Sequence, residues 1–362
     1  MLRKSSYDSF LFAVTLILAL FGLIMVYSAS AVIAMELYSD KYHFLLKHVL
    51  GLAAGLAALA ALMHLDYTWL KRSWIVYFLV FLSLGSLVAV LFAPARHGTN
   101  RWFRSGTFSF QPSELAKVVL VIFLAYMIEK KEGRLNDFFH GLFPCLLILG
   151  QIVSLILLEP DLGTAVTIVM IAGAMLYVAG VRYRYGLLLI LAAVPAFYAF
   201  VFHVEWRKQR LLAFLNPMND PQGYGFQPLQ SLMAIGSGGI FGVGPAESTR
   251  KLFFLPEPHT DFIFSVIGEE YGFIGTSLII VLFVLLFWRG IRIAVRSQDK
   301  FGLYLAVGLT FMIVSQALMN ISVALSLLPT KGITLPLVSS GGSSLIATLA
   351  SIGILLNISY NS

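Results

Sequence analysis

The sequence predicts an all-α integral membrane protein of about ten transmembrane helices, with both termini cytoplasmic and one large extracytoplasmic loop between the seventh and eighth helices. Three observations predict it. Hydrophobic residues make up 59% of the chain and charged ones only 12%, against about 25% charged in a soluble domain, so the apolar surface needs lipid as its solvent. Apolar runs long enough, or nearly so, to cross about 30 Å of hydrocarbon recur along the chain. The short connections between them are basic, as cytoplasmic loops are.

The runs read at 9–33, 45–63, 74–93, 114–128, 139–158, 162–180, 186–203, 262–288, 302–326 and 343–359. The first follows Arg3 and Lys4 and precedes Ala29-Ser30-Ala31, which resembles a secretory signal with its cleavage site. It exceeds the roughly 7–15 apolar residues of a signal, so it reads as an uncleaved first helix. An even count places both termini on one side. If that side is the cytoplasm, the inner Lys/Arg are Arg3, Lys4, Lys71, Arg72, Lys130, Lys131, Arg134, Arg182, Arg184, Arg289, Arg292, Arg296 and Lys300, 13 of 25. Most of the other 12 fall in two loops, 94–113 and 204–261, or inside motifs, so the featureless short loops carry the orientation signal. Trp69, Trp74 and Trp288 stand at span ends as interfacial anchors.

No repeat or low-complexity linker divides the chain, which reads as one polytopic domain, 1–362, with 204–261 as its large loop. Loops of that length carry structure or function. Glu205 to Phe214 reads as a basic, apolar-faced interfacial helix ended by Asn216-Pro217, and Gln227 to Ile235 as a second, re-entrant helix before Gly236-Ser237-Gly238-Gly239. The net charge of +7 suits anionic headgroups or a phosphate-bearing substrate. No nucleic-acid motif is visible. The single Cys145 excludes a disulfide within the chain, and the seven histidines lack metal-ligand spacing.

Ionisable groups in or beside spans are expensive and each is a functional hypothesis. Four places stand out. In Gln111-Pro112-Ser113-Glu114-Leu115-Ala116-Lys117, Glu114 and Lys117 share one helix face, either as a self-neutralising pair or as part of a cavity. Glu159-Pro160-Asp161-Leu162-Gly163-Thr164 sets two carboxylates in a tight turn, where Asp161 reads first as a helix cap. Lys331-Gly332, followed by Ser339-Ser340-Gly341-Gly342-Ser343-Ser344, suits either phosphate binding or close helix packing. Leu255-Pro256-Glu257-Pro258-His259-Thr260-Asp261-Phe262-Ile263-Phe264 places Asp261 where the loop meets the membrane, as cap or as base. A cap would have its pKa lowered by the helix dipole, whereas burial and nearby carboxylates would raise it.

These strings, in this order and together with Gln230-Ser231 to Gly239 and Leu328-Pro329-Thr330-Lys331-Gly332 to Pro336, resemble the SEDS family of polytopic peptidoglycan glycosyltransferases over essentially the whole chain. The chain looks closer to the cell-division branch, FtsW, than to the rod-elongation branch, RodA, on Arg250-Lys251-Leu252, His259 before Thr260-Asp261, and Pro329-Thr330-Lys331-Gly332. It departs from the family at Pro258, where alanine is usual, at Ser340, often tyrosine, and at Glu159, commonly glutamine in the division branch.

The resemblance implies polymerisation of lipid II, a disaccharide-pentapeptide on polyprenyl diphosphate, with inversion at the anomeric carbon. Asp261 is then the base that takes the acceptor hydroxyl proton, worth about 10² to 10⁴ in rate. The diphosphate leaving group needs positive charge rather than an acid, from Arg101, Lys117, Lys331 or Arg250, with a divalent cation such as Mg²⁺ as a further candidate. Glu114, Lys117 and Asp161 match positions around a central polar cavity, Lys47 a basic position there, and Trp102 an aromatic that stacks on sugar or anchors its loop. The implied partners are lipid II, membrane lipid, a class B penicillin-binding protein and division regulators; the implied place is the bacterial cytoplasmic membrane at the septum. A transporter that moves the same lipid across the bilayer is the alternative from another class.

Overall fold

The computed structural model describes residues 7–94, 100–105, 108–187, 191, 195, 198, 202–252 and 255–362. Its described helices are α1 (Ser9–Tyr38), α2 (His43–His64), α3 (Ser73–Leu91), α4 (Pro112–Lys130), α5 (Phe143–Leu158), α6 (Leu162–Val178), α7 (Glu205–Leu215), α8 (Phe226–Ser237), α9 (Ile263–Arg296), α10 (Lys300–Ala324) and α11 (Gly342–Tyr360). A short antiparallel hairpin, β1 (Phe103–Ser105) and β2 (Phe108–Phe110), precedes α4. Seven helical segments are long and apolar enough to cross a membrane: α1, α2, α3, Phe138–Leu158, α9, α10 and α11. Nine of the ten expected runs correspond to described helices. Of the other two, α6 is a shorter apolar helix, and α4 carries four ionisable residues, Glu114, Lys117, Glu129 and Lys130. The expected span at 186–203 lies largely outside the described residues.

The periodic signal of each helix is weak because most of its surface is apolar, lipid being as good a solvent for leucine as the interior is. Small residues mark the closest helix contact. α2 packs along α11 with Gly51 against Gly342, Gly55 against Leu349 and Leu59 against Gly353, so the backbones approach closely. α4, α10 and α11 are the interior helices, with long runs of buried side chains on each.

Both ends of the described chain meet at one end of the bundle. The Asp8 amide donates to Ser359 Oγ at 3.1 Å, Tyr7 stacks on Tyr360, and Asp8 pairs with Arg289. The Lys71–Glu129 and Lys300–Glu132 ion pairs tie together connections that the sequence reads as cytoplasmic.

The feature that sequence periodicity conceals is a break inside α9. Gly272 has φ 64° and ψ −156°, a conformation essentially reserved for glycine. The freed backbone groups are satisfied by the glycine-rich turn after α8: Val243 and Gly244 amides donate to the Glu269 and Glu270 carbonyls, and Phe273 and Ile274 amides donate to the Gly239 and Ile240 carbonyls. Non-helical backbone within a membrane protein needs such partners, and this explains why α8 ends in Gly238-Gly239. The Gln227–Ile235 and Glu205–Phe214 expectations correspond to α8 and α7.

Candidate active site

Pro256 and Pro258 flank Glu257, which is held at φ 48°, and the Thr260 amide closes the turn on the Glu257 carbonyl. The turn delivers Asp261 to the head of α9. Asp261 is not the cap: Phe262 occupies that position and no side chain caps the helix. The Asp261 carboxyl is pushed up to about 7, by burial first, then by Glu257 and Asp161, with Arg101 and Arg210 opposing. Desolvation penalises the charged form and outweighs the two guanidiniums.

Two further elements converge on Asp261 and the turn before it. The loop before α11 brings Gly332 so close that a side chain there would stand 3.2 Å from Asp261 Oδ2. Asn320 on α10 donates from Nδ2 to the carbonyls of Asp261 and Ile333 at 2.8 and 2.6 Å, while Ser339 Oγ donates to the Thr260 carbonyl and the Ser340 amide to that of His259. Ser340, where the family often has tyrosine, thus contributes through its backbone.

Asp161 caps α6, accepting from the Thr164 amide at 3.1 Å and from Thr164 Oγ1 at 2.9 Å, as the turn chemistry predicts. It also faces Arg101 Nη1 at 4.0 Å. Arg101 is committed to the same turn, with Nε donating to the Glu159 carbonyl at 2.9 Å and Nη2 to that of Pro160. Lys331 lays its stem over Gly163; burial lowers its pKa, opposed by Asp161. Glu159 is wholly buried with neither carboxyl oxygen hydrogen-bonded. Burial and then Asp161 push its pKa up to about 8 against the pull of Arg101, so it is mainly neutral at pH 7, as the glutamine common at this position would be.

Of the residues singled out in the sequence, the structure gathers Asp261, Asp161, Arg101 and Lys331 into one polar cluster. Glu114 and Lys117 sit apart. Lys117 Nζ donates to Glu114 Oε1 at 2.9 Å and to Gln316 Oε1 at 2.5 Å, and both ends are buried. The pair reaches the cluster through Gln316, whose Nε2 donates to Thr334 in the Lys331 loop. Lys47 is half-buried on α2 and Trp102 half-buried beside Arg101; among the described residues no hydrogen bond or ion pair joins either to the cluster. The Arg250 amide lies by the Glu269 carboxylate and its Nη1 donates to Gln230 at 2.9 Å.

Two participants escaped sequence reasoning: Arg210 on α7, whose charge acts on Asp261, and Asn320, which splints it. Glu269 and Glu270, carboxylates in the long apolar run after Asp261, organise the loop before it. Glu269 accepts from Ser248 Oγ and from the amide and hydroxyl of Thr249, and Glu270 pairs with Lys251 at 2.7 Å. The doubled carboxylate inside an apolar run was the available signal. Among the described residues no three acidic, histidine or cysteine side chains gather as a metal site; a Mg²⁺ carried by a diphosphate needs only one or two carboxylates, and Asp161 is the carboxylate beside the base that would serve.

The chain is 44% identical over 363 residues to the "Probable peptidoglycan glycosyltransferase FtsW" of Geobacter sp. (strain M18), covering 99% of this chain and 98% of that one. It is 42% identical, with the same coverage, to "Stage V sporulation protein E" of Bacillus subtilis (strain 168). Among solved structures, a chain from work on the structural coordination of polymerization and crosslinking by a peptidoglycan synthase complex superposes with TM-score 0.80 at 31% identity, covering 99% of this chain and 98% of that one. The Thermus thermophilus rod shape determining protein RodA gives 0.72 at 29%, covering 98% and 96%. The family described as "Cell cycle protein", comprising FtsW, RodA and SpoVE, matches residues 8–362, and with its motifs resembling those of SEDS proteins the chain belongs to that family.

Proposed function

We infer that this chain is a peptidoglycan glycosyltransferase that polymerises lipid II at the outer face of the bacterial cytoplasmic membrane, on the division side of the family. The observation that carries the reading is the Asp261 carboxyl, half-buried, raised toward neutrality and bordered by Arg101, Arg210 and the Lys331 loop. A carboxylate with a pKa near the working pH is a competent general base. Asp261 takes the proton of the acceptor sugar's 4-hydroxyl as that oxygen attacks the donor's anomeric carbon, and the bond to the diphosphate breaks on the opposite face. The leaving diphosphate is already an anion. Lys331 and Arg101 supply positive charge beside Asp161, and the partly desolvated setting strengthens that stabilisation. A divalent cation would add charge at the diphosphate.

The meeting of the two chain ends at one end of the bundle supports an even number of crossings. With the basic connections it supports ten spans, cytoplasmic termini and an extracytoplasmic 204–261 loop. The similarity to a chain of a peptidoglycan synthase complex supports a class B penicillin-binding protein as partner, and the likeness to FtsW proteins supports the septum and its division regulators as the setting. The test is purified protein, alone and with that transpeptidase, incubated with labelled lipid II. Long uncrosslinked glycan supports the reading; full-length protein that moves lipid II across vesicles yet makes no glycan with its partner contradicts it.

A further inference from the structure

At the end of the bundle that holds the Lys71–Glu129 and Lys300–Glu132 pairs, two connections carry five cations: Lys130, Lys131 and Arg134 after α4, Arg182 and Arg184 after α6. Asn136 clasps the two connections together. Its Oδ1 accepts from the Arg182 amide at 2.9 Å and its carbonyl from the Tyr185 hydroxyl at 3.1 Å. Leu135 is buried beneath, which anchors the first connection. The neighbouring carboxylates are engaged elsewhere: Glu129 pairs with Lys71, Glu132 with Lys300 and Asp137 with His140. Among the described residues, Lys131, Arg134 and Arg182 therefore have no ion-pair partner, and Arg134 and Arg182 are exposed. Beside them the rings of Phe139, Tyr177 and Tyr183 are 71%, 80% and 85% exposed.

An anion is what this patch lacks, and its setting selects the kind. Exposed aromatic rings at the ends of apolar helices sit at the level of lipid headgroups, and basic pockets between membrane helices take multiply charged headgroups. A guanidinium holds two phosphate oxygens at once. The cations come from two clasped connections, so a single phosphate meets one of them. Two joined phosphates meet both, the second contact being intramolecular once the first is made. We infer that the clasped connections form a headgroup site for an anionic phospholipid carrying two phosphates, with Arg134 holding one phosphate, Arg182 the other, and the exposed rings lying against the upper acyl chains. The bound lipid ties together the far ends of α4 and α6, whose opposite ends carry Lys117 and Asp161. The proposed topology decides only which leaflet supplies it.

Full-length protein in detergent is titrated with diphosphatidylglycerol, phosphatidylglycerol and phosphatidylcholine. Bound lipid is read by native mass spectrometry, and thermal unfolding without added lipid checks that each variant is folded. Diphosphatidylglycerol binds tightest and raises the unfolding midpoint, as a ligand of the folded state must; phosphatidylglycerol binds more weakly and phosphatidylcholine least. Arg134→Gln with Arg182→Gln lowers diphosphatidylglycerol affinity by about tenfold or more. Asn136→Ala, which opens the clasp and leaves every charge in place, brings the affinity down toward that for phosphatidylglycerol. Arg292→Gln with Arg296→Gln removes two exposed charges from the end of α9 instead and leaves the affinity nearly unchanged. An equal loss in that control pair, equal affinity for phosphatidylglycerol, or displacement of the lipid by soluble pyrophosphate at equal concentration overturns the site. Glycan synthesis from lipid II is read separately, so failure here leaves the polymerase reading standing.

Discussion

The Asn320 side chain holds Asp261 by its backbone: one amide nitrogen donates to the Asp261 carbonyl at 2.8 Å and to the Ile333 carbonyl at 2.6 Å. A buried residue on α10 thereby splints the head of α9 to the Lys331 loop, fixing base and cation relative to each other. Asn320→Ala leaves two carbonyls without this donor, at a cost of about 1–3 kcal/mol. Polymerisation should fall more than stability does, since a misplaced base loses rate out of proportion to fold. Thermal unfolding and initial rate on the same preparation check this; a rate loss no larger than the folded fraction explains would contradict it.

The pH profile follows from the raised Asp261 pKa. A base must be ionised to accept a proton, so initial rate should fall as pH drops through about 7. Stability runs the other way. A carboxyl raised from 3.8 to about 7 binds more protons folded than unfolded between those values, so its stabilising contribution is complete below the unfolded pKa and lost as pH rises through the folded one. Asp261→Asn should therefore raise the unfolding midpoint at about pH 8 and change it little near pH 4. Equal midpoints for the two proteins across that range would refute the assignment.

Lys117 and Glu114 are a buried pair, 3% and 7% exposed, and breaking it strands a charge. Lys117→Met alone should cost about 3–5 kcal/mol, whereas Lys117→Met with Glu114→Gln should recover most of it. Denaturation of the single and double variants measures the coupling. If the recovered double variant also polymerises normally, the pair is structural; persistent inactivity would give the pair a part in the reaction through Gln316 and the Lys331 loop.

Gly272 marks where α9 breaks, and a side chain there would stand 2.6 Å from the Ile240 carbonyl oxygen. Gly272→Ala adds strain of about 1–3 kcal/mol from the backbone conformation alone, and more from that collision. Its yield of folded protein in detergent should drop well below that of Gly85→Ala, where the same added carbon meets nothing within 4 Å. Comparable folded yields would argue against the break.

The span pattern was legible because lipid demands continuous apolar runs, and α7 and α8 were legible because Asn216-Pro217 and Gly236 to Gly239 punctuate them. The break at Gly272 was not. A single glycine in Tyr271-Gly272-Phe273 leaves hydropathy unbroken, and its hydrogen-bond partners lie some thirty residues earlier. Asp161 read correctly as a cap because capping is local. Asp261 read ambiguously because its basicity depends first on burial, and then on Glu257 and on Arg101, Asp161 and Arg210, which only the fold assembles. Asn320 carried no signal, being one amide in an apolar helix whose partners are set by tertiary structure.

The central claim is that Asp261 takes the acceptor's proton, and the direct measurement is glycan formation from lipid II by Asp261→Asn at matched, folded concentration with the transpeptidase partner present. Asparagine preserves size and leaves the Asn320 contact, which is to the backbone, intact. The account predicts a rate at least about 10²-fold below that of the unmodified chain, with lipid II binding retained. Polymerisation close to the unmodified rate would contradict it.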